Sequence, residues 1–187
     1  VFKKGVLYWN NGELRDFDAP QIEEYLDKRA HDTFHVATLT PDDFRDTRQR
    51  GVLGMVPGEI ITTDNGYADH VDLEKDILKI AVVERHKGTH HIGLGYIQGY
   101  GLRSGAVATS ISHDSHNIIV VGTNSADMAF AANYIVEHHG GIVVVENGVV
   151  KGSVVLEIAG IMSDRPLTEV NDQLEAAKDA AFTLGVS

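Results

Sequence analysis

The chain contains no cysteine among its 187 residues. That excludes disulfides, cysteine-ligated zinc and a thiol nucleophile, and it fits a reducing, cytoplasmic setting. No apolar run approaches the roughly 18 residues of a membrane-spanning helix; the longest are "NIIVVG" and "GIVVVENGVV". The lysines near the N-terminus precede no long apolar stretch, so no secretory signal is read there. No block of like charge suggests a binding tail, and the formal net charge of -11 works against nucleic acid or an anionic membrane surface as main partner. The chain does not start with methionine but directly in a strand-like pattern, and the expectation is a processed chain or one cut from something longer.

Several catalytic signatures are missing as well. There is no G-x-x-x-x-G-K-[ST], no G-x-S-x-G elbow and no H-E-x-x-H. The glycines at 93, 95, 99, 101 and 105 are spaced G-x-G-x-x-x-G-x-G, and strand-like sequence follows where a phosphate loop needs a helix. Glycines so spaced in a strand more often admit a neighbouring backbone or a bend.

What is present is an ordinary globular composition, 43% hydrophobic and 23% charged, sufficient for one domain or one and a small piece. Residues 4–17 read as a hairpin turning at Asn10-Asn11-Gly12, and Pro20 to Lys28 as a short helix with Ile22, Tyr25 and Leu26 on one face. "DTFHVATLTPDDF" reads as extended, with a turn at Pro41-Asp42. Strands follow: "GVLGMVPGEIITTDNG" as strand, turn at Pro57-Gly58, strand and turn at Asn65-Gly66, then "DILKIAVVERH", the glycine-rich and extended "THHIGLGYIQGYGLRSG", "AVATSISHD" and "NIIVVGT". The unbroken "IIVV" suggests a strand covered on both faces. Two longer helices are predicted. One spans 125–139, capped by Asn124 or Ser125 and closed by Gly140; the other spans 168–184, capped by Thr168. Between them lie two strands joined at Asn147-Gly148. The expected class is mixed α/β, strand-rich, with two to three helices.

Ten histidines are many for this length. His86, His90 and His91 surround Lys87-Gly88, while His113 and His116 flank Asp114-Ser115. Imidazoles gathered with Asp114 suit a metal such as zinc, manganese or iron, but one H-x-x-H supplies too few ligands, and adjacent His90 and His91 would point to opposite faces of a strand. A hydrolase triad from Ser110 or Ser115 with His113 or His116 and Asp114 would need sequence neighbours to converge in space. The stretch His113–Asn117 lies between two strands, where function often sits; equally, Asp114 and Asn117 can cap such a turn through their own backbone.

The stretches "DILKIAVVERHKGTHHIGLGYIQGYGLRSGAVATSISHDSHNIIVVGTNSADMAFAANYI", "GGIVVVENGVV" and "IAGIMSD" closely resemble the C-terminal domain of bacterial adenine deaminases, enzymes of the metal-dependent amidohydrolase superfamily. V-E-R-H, H-D-S-H-N, G-T-N and A-G-[IL]-M-S-D carry the resemblance, which runs from about Asp32 to the C-terminus and includes "DTFHV" and "VPGEIITT". One departure is Glu157, where the family usually has an apolar residue or proline.

The resemblance implies that residues 1–31 are the last segment of a small β-domain and 32–187 the C-terminal domain. It implies that a (β/α)₈ barrel of about 250 residues, absent from this chain, carries the H-x-H metal ligands and the catalytic acid/base. It implies hydrolysis of adenine to hypoxanthine and ammonia, a manganese or iron pair turning water into hydroxide that attacks C6 while an acid protonates the leaving amine. No metal is expected on this chain, which alone would be inactive. His113, Asp114, Ser115, His116 and Asn117, with Arg85 and His86, are the expected substrate-side residues at the barrel mouth. Partners implied are adenine, the barrel and a second copy in a homodimer; a free-standing purine-binding or oligomerisation domain is the alternative.

Overall fold

Alternating β-branched and small residues after Gly51 build one large sheet in the computed structural model, which describes residues 2–14 and 21–186. Its strands are β5 (Arg50–Met55), β6 (Thr62–Ala68), β7 (Ile77–Val83), β8 (Ile92–Gln98), β9 (Ala106–Thr109), β10 (Ile118–Gly122), β11 (Gly141–Glu146) and β12 (Val149–Val155). They lie in the order β12-β11-β9-β10-β7-β8-β5-β6. Every neighbouring pair is antiparallel except β5 and β8, which are parallel. The helices are α1 (Glu24–His31), α2 (Ser125–Glu137) and α3 (Leu167–Thr183), with a 3₁₀ turn at Pro41–Phe44. The domain is therefore mixed α/β and strand-rich, as its sequence predicts.

One face of the sheet is covered over β9, β10 and β11 by α2. Ala81, Val83, Ala106, Ala108, Ile118, Val120, Val143 and Val145 meet Met128, Ala131, Ala132 and Ile135, with Leu39 and Phe44 closing the edge. The alanines of β9 let the helix approach, and burying Met128 and Ile135 contributes roughly 1.5–3 kcal/mol each. Asn124 caps α2 as predicted, accepting from the Asp127 amide at 2.8 Å. On the opposite face α3 covers only the β11–β12 end, through Val170, Leu174 and Ala177 against Val154, Leu156 and Ile142. Leu184 and Val186 cover Leu78, Leu102 and Val121. Beside them remains an apolar trough of about 370 Å³ lined by Ile61, Ile80, Ile97, Tyr100, Val107 and Ile119. The strand β10 is thus fully covered on its α2 side and partly open at Ile119.

Several local expectations are corrected. The hairpin over 4–17 is two shorter ones, β1 (Phe2–Lys3) with β2 (Val6–Leu7) and β3 (Trp9–Asn10) with β4 (Glu13–Leu14). Lys4-Gly5 and Asn11-Gly12 turn them, all four residues at positive φ; residues 15–17 lie outside the described ones. The helix expected over 20–28 starts at Glu24, because Glu23 is extended, and buries none of its residues; Pro20 lies outside the described residues. Asn65-Gly66 is no turn: β6 runs through it, and Gly66 at φ 83 serves a bulge opposite Gly51–Leu53. His90 and His91 precede β8 in a loop, where His90 adopts φ 55 and its Nε2 lies 3.0 Å from Asp43. Pro166, with its fixed φ, takes the cap position of α3 in place of Thr168. Among the described residues no helix is long and apolar enough to cross a membrane.

Candidate functional site

The register of β7 against β10 pairs Val83 with Ile118, so the residues leaving β7 emerge beside those entering β10. This brings Arg85 and His86 against the turn Ser112–Asn117, two motifs far apart in sequence. Arg85 is 2% exposed and, among the described residues, has no carboxylate partner. Its Nε donates to the carbonyl of His116 at 2.5 Å, Nη1 to the carbonyl and hydroxyl of Thr33 at 2.8 and 3.0 Å, and Nη2 to the carbonyl of Ala159 at 2.9 Å. The guanidinium carbon lies 4.2 Å from the centre of the Phe34 ring, a cation–π contact. Burial pushes the guanidinium pKa down from its ordinary value. One side chain thus joins the β7–β8 loop, the Ser112–Asn117 turn, the Thr33–Phe34 segment and the A-G-I-M-S-D turn.

His86 is exposed, and its Nε2 lies 2.9 Å from the carbonyl of Ser115, which makes Nε2 the protonated nitrogen there. Glu84 fastens the loop beneath it, accepting from the amides of His86 at 2.6 Å and Lys87 at 2.9 Å and from the Thr89 hydroxyl at 2.8 Å. Burial alone would raise the Glu84 pKa, but these donors outweigh it and hold the carboxyl at about 2.

The turn itself is closed by its serines. The amide of His116 donates to the carbonyl of Ser112 at 2.7 Å, the hydroxyls of Ser112 and Ser115 pair at 3.0 Å, and Ser115 Oγ accepts from the amide of Asn117 at 3.4 Å. Capping by Asp114 and Asn117 through their own backbone is therefore corrected: Asp114 adopts φ 67 and turns its carboxylate outward to His113, 3.2 Å away. His113 and Asp114 have side chains 94% and 90% exposed. His116 adopts φ 48, and its Nδ1 and the Asn117 Oδ1 are buried without a protein partner.

Two chemistries weighed from the sequence are not assembled. Ser110 is fully buried, donating to the carbonyl of Gly160 at 2.5 Å and accepting from the amide of Gly141 at 2.8 Å, so it is no accessible nucleophile. The Ser115 hydroxyl bonds to that of Ser112, and a histidine reaches only the Ser115 carbonyl. Among the described residues no three His, Asp or Glu side chains converge to hold a metal ion, so these residues do not fit a metal pair. In the glycine stretch, Gly105 at φ 80 lies against the carbonyl of Val145 where a side chain would collide, which is close backbone approach.

Sequence reasoning missed Thr33, Glu84 and Ala159. Glu84 was legible as part of V-E-R-H. Nothing in an alanine signals that it will adopt φ 55 and offer its carbonyl to a buried arginine. Glu157, the departure from the family pattern, is half-buried and held by Ser163 and Arg165 at 3.2 and 3.4 Å.

The sequence model of the family described as "Adenine deaminase C-terminal domain" matches residues 58–187. Adenine deaminase 1 of Rhizobium meliloti (strain 1021) is 45% identical over 146 residues, covering 74% of this chain and 26% of that protein. Adenine deaminase of Methylobacterium nodulans (strain LMG 21967) is 45% identical over 161 residues, 80% of this chain and 28% of its own length. The corresponding protein of Brucella anthropi (strain ATCC 49188) is 48% identical over 140 residues, 71% and 25% respectively. The chain spans about a quarter of the length of the curated relatives it matches. Residues 33–55 precede the matched region yet belong to the same fold, since β5 pairs with β8 and Leu39 and Phe44 complete the core. By this match, the chain belongs to the family of adenine deaminase C-terminal domains.

Proposed function

We propose that this chain is the C-terminal part of an adenine deaminase that converts adenine and water to hypoxanthine and ammonia. The observation that carries this is the identity of 45% to proteins named adenine deaminase, of which the chain covers about a quarter. The turn Ser112–Asn117 borders the adenine site, presenting His113 and Asp114. In support, the segment Ala30–His35 reaches the domain at this same end: Ala159 donates to Ala30, His35 donates to the Arg85 carbonyl, and Thr33 receives Arg85. The chain preceding this segment is thereby tethered beside the turn. The manganese or iron of the enzyme is held in a separate barrel domain; the roughly three quarters of the relatives' length that this chain does not cover leaves room for one. The absence of cysteine supports a cytoplasmic location.

The test is adenine turnover, read as ammonia release. The complete protein turns over adenine, this chain alone does not, and Asp114→Ala in the complete protein raises KM for adenine about tenfold or lowers kcat comparably. Unchanged kcat and KM would leave the turn a structural one. A second reading, oligomerisation, is favoured by the open trough: Ile60 is fully exposed and Ile61 largely so beside it, a surface suited to a second copy.

A further inference from the structure

Arg85 and His86 are consecutive and grip consecutive carbonyls of one turn, Arg85 that of His116 and His86 that of Ser115. We propose that both are positioning residues for the adenine site, acting on it only through the turn Ser112–Asn117. The inference rests on the reading that this turn borders the site.

The first support is the kind of partner Arg85 has. A buried guanidinium with neutral acceptors alone is a costly way to fill space, and an apolar side chain of similar volume would pack more cheaply. Its planar fork does what no apolar side chain does, fixing three separate backbones at defined angles through Thr33, His116 and Ala159. The second support is where those backbones are strained. His116 and Ala159 both adopt left-handed φ, 48 and 55, a conformation costing on the order of 1–2 kcal/mol for a residue with a Cβ. Each of these two residues places its carbonyl on Arg85. Backbone held off its minimum persists where the surroundings over-determine it, and such places cluster at binding and catalytic sites. The third support is His86. It is exposed, so the core does not need it, yet Glu84 holds its backbone and its ring reaches across to the turn. Tethered on its inner side, the turn leaves His113 and Asp114 facing outward.

Substitution of Arg85 endangers the core, so the test is made at His86 in the complete protein. His86→Phe removes the ring donor; His86→Gln keeps an N–H of similar reach. Hydrogen exchange of the amides from Ser115 to Asn117 is measured with melting temperature and steady-state kinetics on adenine. Loss of one net hydrogen bond corresponds to about a fivefold change. His86→Phe is expected to speed exchange of these amides about fivefold and to raise KM for adenine by a similar factor. Melting temperature and kcat stay near wild type, and His86→Gln restores exchange and KM. Unchanged exchange, or faster exchange with unchanged KM, overturns the inference while wild-type turnover leaves the deaminase reading intact. Absence of turnover by the wild-type complete protein defeats the reading itself, and the inference with it.

Discussion

Glu84 illustrates how much of the loop carrying Arg85 and His86 depends on a single carboxylate. Its carboxyl collects amide and hydroxyl donors from the loop that carries Arg85 and His86, and its pKa falls from an ordinary 4.5 to about 2. A group with a depressed folded pKa stabilises the fold above its unfolded value, and that contribution is lost as pH falls through the folded one. Thermal melts of wild type and Glu84→Gln should therefore differ most above about pH 4.5 and converge as pH drops toward 2. A gap that persists or widens on acidification would show that the loop does not depend on the ionised form. At this scale the site was partly legible. The residues of V-E-R-H and H-D-S-H-N stood out in the sequence, but the division of labour between them did not. A sequence shows an arginine and two histidines as equally available chemistry. The fold buries Arg85, exposes His113, and gives His116 a carbonyl role through its backbone.

Among the elements, the hairpin β11–β12 and helix α2 follow from local rules. Asn147-Gly148 supplies two residues at positive φ for the turn, and the Asp127 carboxylate accepts from both of their amides, at 3.1 and 2.8 Å. The junction of β9, β11 and the Gly160 turn is different, because it hangs on Ser110, a residue whose exposed counterpart would be read as a nucleophile. Removing its hydroxyl leaves the amide of Gly141 and the carbonyl of Gly160 with one partner fewer in a dry interior. Ser110→Ala should cost about 1–3 kcal/mol in a denaturant titration and leave adenine KM in the complete protein unchanged. A loss of turnover without loss of stability would return Ser110 to the list of chemical residues. The helix boundaries that shifted did so where extended or proline backbone, at Glu23 and Pro166, set the first turn.

For the molecule as a whole, the sheet is asymmetric: α2 covers one face over β9, β10 and β11, while α3 and the C-terminal residues cover the other only in part. Of the exposed isoleucines over the open part, Ile60 contributes no burial to this fold and Ile61 little. Ile60→Asp combined with Ile61→Asp should thus shift the melting temperature by no more than about 4 °C, since surface changes away from packed features lie within ±0.5 kcal/mol each and 1 kcal/mol corresponds to about 2–4 °C at this size. If a second copy covers the trough, the same variant shifts sedimentation from dimer to monomer. A monomer both before and after substitution would remove the oligomerisation reading.

The sequence by itself determined what short-range physics controls. Period-two apolar runs became strands, the 3.6-residue stripe of Met128, Ala132 and Ile135 became a buried helix face, and the Asn-Gly pairs at 11–12 and 147–148 became turns. Its motifs also determined the family, because long specific stretches carry that information without a fold. Only the tertiary structure decided which polar residues meet. The strand order places β7 beside β10 although 34 residues separate Val83 from Ile118 along the numbering, and that pairing sets Arg85 against the carbonyl of His116. Asn65-Gly66 passed from turn to bulge for the same reason, since β5 supplied a partner on both sides of it. Hydrogen-bond geometry is satisfied in three dimensions, and the sequence records the donors but not the distances between them.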